Sequence, residues 1–357
     1  MKITLLLSSA YGMRGDVRST LNLATALSER HDVEVISVRR HKDRPFFPVG
    51  PDVTMRSIID ARPGSRRLLP RGQVRAEVAL WRLLRSLKSD VLVTTRPALG
   101  VQAARHAPRD LLKIAREWGR PAVPAPVKRF YPRLQAVVTA TDAAAEEWTR
   151  LLDGSPAVHT VPDALPDGPW PRSRMDNRIV AAGGRWIPVK GYDRLIRAFA
   201  TVADKRPDWR LRLYGGGSEE RRLRALVRDL DLHNHVYFMG MTPDLAGEFA
   251  KASIVVNTAR HGDLGMTVLE AMGCGVPVVA FEGSRGPTEF VATGYNGVLV
   301  PEGDGEAELE MFASALLALI DDERRRRSLA AGALDTALRH SAAEVGPQWE
   351  KLIADLR

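Results

Sequence analysis

The chain has 357 residues, 45% hydrophobic and 27% charged, with 52 Lys and Arg against 43 Asp and Glu. That length and apolar share support two domains with ordinary cores and exclude a disordered or fibrous chain. The single cysteine, Cys274, excludes an internal disulfide framework and fits a reducing cytoplasm.

Short β-rich runs alternate with helical patterns throughout, which points to open, mostly parallel α/β sheets. Strands are predicted first at Ile3–Leu7, Val33–Val38, Val53–Ile59, Val91–Thr94, Leu111–Ala115, Ala136–Thr139 and Val158–Val161. The run Ile3–Leu7 is too short for a signal-peptide core and reads as a buried strand. Helices fall between these strands near Arg18–Arg30, Gln73–Ser89, Pro97–Ala107 and Asp142–Leu151. The segment from Asp163 to Arg172 is too rich in Pro and Gly for a regular element and reads as a linker.

The pattern then restarts, with strands at Ile179–Ala182, Leu211–Tyr214, Val236–Phe238, Ile254–Asn257, Val278–Phe281 and Val298–Val300. Helices are predicted near Tyr192–Ala203, Glu219–Asp229, Asp244–Ala250, Val268–Met272 and Leu309–Asp321, and two more, Glu323–His340 and Ala342–Leu356, close the chain. The expected fold class is α/β with two Rossmann-like doubly wound domains: residues 1–165, a linker at 166–177, residues 178–340, and a terminal helix over 341–357. No stretch reaches the ~18 apolar residues of a membrane helix. Ligands of such sheets bind at the carboxyl ends of strands, so the loops there carry the chemistry.

Three of these loops stand out. In Gly183-Gly184-Arg185-Trp186-Ile187-Pro188-Val189-Lys190-Gly191, a strand ends at a glycine pair, and two cations precede a helix start. Cations beside free helix N–H groups form an anion site, each charge-assisted contact contributing roughly 1.5–3 kcal/mol. The bland alternative is a pair of solvated cations. Tyr214-Gly215-Gly216-Gly217-Ser218 is a second strand-to-helix turn, which lets backbone approach a ligand but lacks the full dinucleotide-binding spacing. The third, His261 through Val279, opens a short helix at Gly265–Thr267 and sets Glu270 one turn in, suited to a phosphate and a ribose. Alone, Glu270 would read as a helix-dipole partner.

Together these segments resemble the family four glycosyltransferases, a retaining group with the GT-B fold. The matching pieces are Gly184-Arg185…Lys190-Gly191, Leu213-Tyr214-Gly215-Gly216-Gly217, Val236 through Gly240, Gly265-Met266…Leu269-Glu270-Ala271-Met272, Gly275 through Val279, and a tail from Arg285 to Val300. Gly12-Met13-Arg14-Gly15 resembles the family's first glycine loop, and the last helix, with Trp349, the segment that crosses back onto the first domain.

The resemblance implies two domains facing each other across a cleft, with an acceptor-side first domain and a donor-binding second one. It implies Arg185 and Lys190 as the catalytic cations on the donor diphosphate. Donor contacts would come from Gly15, Gly184, Gly216, Met241, Asp263, Leu264, Gly265, Met266, Thr267 and Glu270, the last holding the ribose. No cofactor or metal is expected, because two cations and a helix terminus stabilise the leaving group. The one Asp-x-Asp, Asp229-Leu230-Asp231, sits at a predicted helix end and reads as solvated.

Two positions depart from the family pattern. Gly262 stands where a glutamate is usual, with Asp263 beside it, and Glu117 or Trp118 stands where a histidine is usual; His106 lies in another predicted element. Both departures touch the donor sugar, which suggests a deoxygenated or modified donor, or an atypical transfer such as pseudoglycosyl coupling. The rival functions are a sugar-nucleotide epimerase, which lacks a cleft histidine here, and a non-catalytic nucleotide-sugar-binding subunit.

Charge is uneven along the chain. Residues 1–165 hold 27 Lys and Arg against 16 Asp and Glu, a balance of +11, whereas the other 192 hold 25 against 27, a balance of −2. A basic first half favours an anionic partner, whether a lipid headgroup, a phosphate-bearing acceptor or nucleic acid; the bland alternative is an Arg-rich composition that merely solvates the surface. Arg62 to Lys88, with Arg66, Arg67, Arg71, Arg75, Arg82 and Arg85 among leucines and Trp81, reads first as a helix packing its apolar face on the first sheet; the alternative is a basic amphipathic helix lying on an anionic membrane. Nucleic acid is not expected, since no aromatic-interleaved basic motif occurs. The enzyme is expected to be cytoplasmic, peripheral to the membrane, with a UDP-sugar as the favoured donor.

Overall fold

The computed structural model describes residues 1–357 apart from 63–72, 120, 122, 167, 262, 263 and 284. Its first elements are β1 (Lys2–Leu7), α1 (Gly15–Ser28), β2 (Asp32–Arg40), β3 (Val53–Asp60), α2 (Gln73–Arg85), β4 (Val91–Thr94) and α3 (Pro97–His106). Then come β5 (Leu112–Glu117), α4 (Pro124–Phe130), β6 (Ala136–Thr139), α5 (Asp142–Leu152) and β7 (Ala157–Thr160). The second series is β8 (Ile179–Arg185), α6 (Tyr192–Lys205), β9 (Arg210–Gly216), α7 (Glu220–Asp229), β10 (Val236–Gly240), α8 (Leu245–Phe249), β11 (Ile254–Asn257) and α9 (Met266–Gly273). It ends with β12 (Val278–Phe281), α10 (Arg285–Phe290), β13 (Gly297–Val300), α11 (Gly305–Ile320), α12 (Glu323–Arg339) and α13 (Ala342–Asp355).

The chain divides into two compact units, Met1–Pro166 with Ser341–Arg357, and Asp167–His340. The first holds a parallel sheet ordered β3-β2-β1-β4-β5-β6-β7. Helices cover both faces, so its strands are continuous apolar runs rather than alternating ones. In β1, Ile3, Leu5 and Leu7 meet Val17 and Leu21 of α1 and Trp349 of α13, whereas Leu6 points the other way, to Leu80 and Leu84 of α2 and Leu99 of α3. Each such leucine contributes about 1.5–3 kcal/mol on burial.

The second unit has the order β10-β9-β8-β11-β12-β13, again parallel. One face packs α6, α7 and α11 through Leu195, Phe199, Leu223, Phe312 and Leu316 against Val180, Leu211 and Val256. On the other face Gly183 lies against Leu245 and Phe249 of α8. In both sheets the strand order reverses once, between β1 and β4 and between β8 and β11. These are the doubly wound folds expected, and each reversal opens a crevice at the carboxyl ends of its strands.

Two helices were not anticipated. α4 begins Pro124-Ala125-Pro126 and α10 begins Arg285-Gly286-Pro287. Proline breaks a helix interior but suits the first turn, where its missing N–H has no partner to lose.

Candidate functional site

The crevice of the second unit lies between β8 and β11, and the loops leaving these strands carry most of the sequence-predicted residues. β8 runs three residues past its predicted end and β9 two, because their glycine-rich ends pair with each other. Gly184 aligns with Gly215, and Arg185 with Gly216. A Cβ on Gly215 would stand 1.8 Å from the Gly184 carbonyl oxygen, so only glycine allows this approach. These glycines therefore serve a close approach of strand to strand.

Trp186 then turns inward, 1% exposed, its amide donating to the Gly216 carbonyl at 2.9 Å and its ring set edge-on to Phe238. Arg185 is left exposed as the last strand residue. Lys190 ends a 3-10 turn over Pro188–Lys190 and is half-buried, directly before α6.

Across the crevice, α9 starts after Gly265, with Met266 buried and Leu264 and Thr267 half-buried. Its first amides have no intrahelical acceptor, which makes this end electropositive. Glu270, 4% exposed, sits one turn in. The buried Cys274 thiol is pushed up to about 12 by desolvation and then by the Glu270 charge. Met241, 59% exposed, borders Gly216, where an added Cβ would come 3.4 Å from its Cγ. Gly262 and Asp263 lie outside the described residues. Asp229 and Asp231 are exposed at the end of α7, Asp231 pairing with His233 at 3.1 Å. Among the described residues, no three His, Cys, Asp or Glu are grouped as a metal site would need.

Gly15, Glu117 and Trp118 belong to the first unit. Gly15 opens α1 beside a charge cluster that sequence reasoning missed. Asp16 accepts from Arg14 at 2.9 and 2.6 Å and from Arg96 at 2.7 Å. Arg96, just ahead of α3, carries no local signal of this. β5 extends through Glu117, and its alternation sends successive side chains to opposite faces. Arg116 meets Asp163 at 2.5 Å, both almost fully buried, and its guanidinium lies over the rings of Trp118 and Trp349. Ser19 also donates to Asp163, as does the Trp118 indole at 3.1 Å. Glu117 points into the other core and accepts from the Tyr131 hydroxyl at 2.5 Å. Burial pushes its carboxyl up to about 8, against the lowering effect of that bond. Trp118 is thus the one of this pair with exposed surface. His106 is half-buried, held below its usual range by desolvation and the nearby Arg105 and Arg85 charges.

Helix α2 does pack an apolar face, Ala76, Leu80 and Leu84, on the first sheet. It leaves a second apolar stripe outside: Val74, Val78 and Trp81 are 70%, 42% and 39% exposed. Arg66, Arg67 and Arg71 lie outside the described residues. Among those residues no helix is long and apolar enough to cross a membrane.

Residues 171–335 match the family described as glycosyl transferases group 1. The exopolysaccharide phosphotransferase of Streptomyces coelicolor is 32% identical over 389 residues; all of this chain aligns, but it spans only 41% of that protein. An uncharacterized glycosyltransferase of Haemophilus influenzae is 26% identical over 305 residues, covering 82% of this chain and 84% of that one. Among solved structures, a mutant of S. aureus TarM in complex with Fondaparinux, alpha-GlcNAc-glycerol and UDP matches with a TM-score of 0.80 and 13% identity over 99% of both chains. At that identity the likeness concerns the fold, which is the two-domain GT-B architecture.

Proposed function

We propose, on the match of residues 171–335 to the glycosyl transferases group 1 family, that the chain is a retaining, metal-independent glycosyltransferase using a UDP-sugar and an unidentified acceptor. One observation carries this: Arg185, Lys190, the α9 N-terminus and Glu270 all flank the β8/β11 crevice of one sheet. A nucleoside diphosphate matches that set, with cations and free amides for the phosphates and a buried carboxylate for the ribose hydroxyls. UDP is favoured because the TarM structure contains it.

In the reaction proposed, the bond from the sugar's anomeric carbon to the diphosphate oxygen breaks first, and charge grows on that oxygen. Arg185, Lys190 and the α9 amides stabilise it in place of a metal. The acceptor oxygen then bonds to the same face of the anomeric carbon and gives its proton to the departing phosphate. No pair of carboxylates at the ~5 Å spacing of a retaining double displacement is needed. The test is proton NMR of the protein with α-linked UDP-sugars and EDTA. UDP release with an α-configured sugar product, unchanged by EDTA, is expected; a β product or a requirement for added Mg²⁺ contradicts it.

The basic layer of the first unit supplies the second part of the proposal, contact with an anionic membrane. Helices α2, α3 and α4 with the Tyr131–Arg133 turn carry seven Lys and Arg against one carboxylate, Glu77. Arg105, Arg129 and Arg133 crowd one ring, Phe130, at 5.2, 5.2 and 5.3 Å. Arg85 lies 5.1 Å from the exposed Trp81 ring. Clustered cations repel one another unless an anionic surface neutralises them, and an interfacial tryptophan suits a lipid headgroup layer. The protein should sediment with phosphatidylserine vesicles and not with phosphatidylcholine alone. Changing Arg105, Arg129 and Arg133 to Gln should abolish this; unchanged sedimentation of that variant contradicts the assignment.

A further inference from the structure

α6 begins Tyr192-Asp193-Arg194, and its two charged residues brace the crevice from different sides. β8 and β11 pair only through Ile254 with Val180 and Val255 with Ala181. Beyond that the strands part, and side chains replace the ladder. Arg260, in the loop after β11, donates to both Asp193 oxygens at 2.8 and 2.9 Å and to the Pro188 carbonyl at 3.0 Å. Its amide donates to the Val189 carbonyl at 2.8 Å. The Thr258 hydroxyl donates to the Gly191 carbonyl at 3.1 Å. Gly191 itself has φ +64°, and a Cβ there would stand 2.0 Å from the Thr258 carbonyl oxygen. The backbone on both sides of Lys190 is therefore clamped to residues 258–260.

Arg194 anchors that clamp from within. It is 5% exposed and donates to the Thr258 and Ala259 carbonyls at 2.8 and 3.0 Å. Its remaining N–H groups reach Glu302 at 3.0 Å and Glu308 at 2.8 Å, and its plane lies 3.9 Å from the Phe281 ring centre. Burying a guanidinium is costly unless its donors are matched, and here two carboxylates and two loop carbonyls match them.

We infer that Asp193, Arg194 and Arg260 are positioning residues for the donor diphosphate, fixing the backbone around Lys190 against residues 258–260 while touching no ligand themselves. This rests on the nucleotide reading above. Preorganised charge is effective only if held in place, so a loosened clamp should weaken binding through Lys190.

The test is a double-mutant cycle read by calorimetric titration with UDP, on the wild type, Arg260→Ala, Lys190→Met and the pair together. Arg260 is the partly exposed member, so its alanine variant keeps the interior intact, and circular dichroism checks this. Arg260→Ala should weaken UDP about tenfold in the wild-type background and by less than about twofold once Lys190 is gone. Arg260→Lys, which keeps a donor for Asp193, should recover part of the loss. Equal weakening in both backgrounds would mean a merely structural role and overturn the inference. So would an unweakened Arg260→Ala beside a weakened Lys190→Met, with the nucleotide site left standing. A wild type that does not bind UDP would overturn the nucleotide reading itself.

Discussion

Arg185→Ala and Lys190→Ala are each expected to lower kcat for sugar transfer by on the order of 10²–10³, with KM for the donor much less affected. In the proposed reaction the two cations face a leaving group whose charge grows as its bond to the sugar breaks, so they would hold the transition state more tightly than the ground state. Interactions of that kind appear in kcat, and in the affinity for free UDP, which carries the leaving group's full charge, more than in donor KM. Arg185 is exposed at the end of β8 and Lys190 closes a short turn, so neither loss opens a core cavity. Glu270→Gln provides the contrast. A carboxylate on a ribose binds both states alike, and its loss should raise KM and leave kcat nearly unchanged. Initial rates across donor concentration separate the two patterns. A raised KM with intact kcat for Arg185→Ala would remove it from the catalytic role.

Glu117→Gln should reverse the protein's stability ranking between acid and alkaline pH. The folded carboxyl is pushed up to about 8, chiefly by desolvation, from its ordinary value of 4.5. Between those values the folded chain keeps a proton that the unfolded chain has released. Folding therefore binds protons there, and stability falls as pH rises through the window. At 1.36 kcal/mol per unit, the full loss is about 5 kcal/mol above the folded pKa. Glutamine keeps an oxygen to accept from Tyr131 and cannot ionise, but it buries an amide in place of a single hydroxyl. The variant should be slightly less stable than wild type at pH 5, by about 1–2 kcal/mol, and more stable at pH 9. Urea melts at both pH values check this. Parallel curves would show that Glu117 ionises in the fold without penalty.

Much of the fold was legible because parallel strands covered on both faces leave long apolar signatures. Val91-Leu92-Val93-Thr94 is wholly buried and reads as a strand at sight. The helix starts at Pro124 and near Pro287 were missed, since a proline reads as a breaker until its place in the first turn is known. The ends of β8 and β9 were cut short for a similar reason. Glycine pairs look like turns, and only the partner strand shows that they are a close backbone contact.

Within the site, Arg185, Lys190, Gly216 and the start of α9 are local motifs at strand ends, and the sheet order alone sets them beside one crevice. What surrounds them was not legible. Arg194 reaches Glu302 and Glu308 across 108 and 114 positions, and Arg116 reaches Asp163 across 47. Such pairs leave no periodic trace in the sequence. In the sequence Asp163 reads as the start of a linker, yet it is 1% exposed and anchors Ser19, Arg116 and Trp118. Glu117 was placed after its strand, and one further turn of the pleat sends it into the core.

The central claim, a nucleoside diphosphate site in the second unit, is tested most directly by calorimetric titration with UDP, GDP, ADP and dTDP. The wild type should bind UDP in the micromolar range, and the Arg185→Ala, Lys190→Ala double variant should show no measurable binding. Absence of binding by all four nucleotides, or equal binding by the double variant, would contradict the account and leave the crevice as a feature of the fold alone.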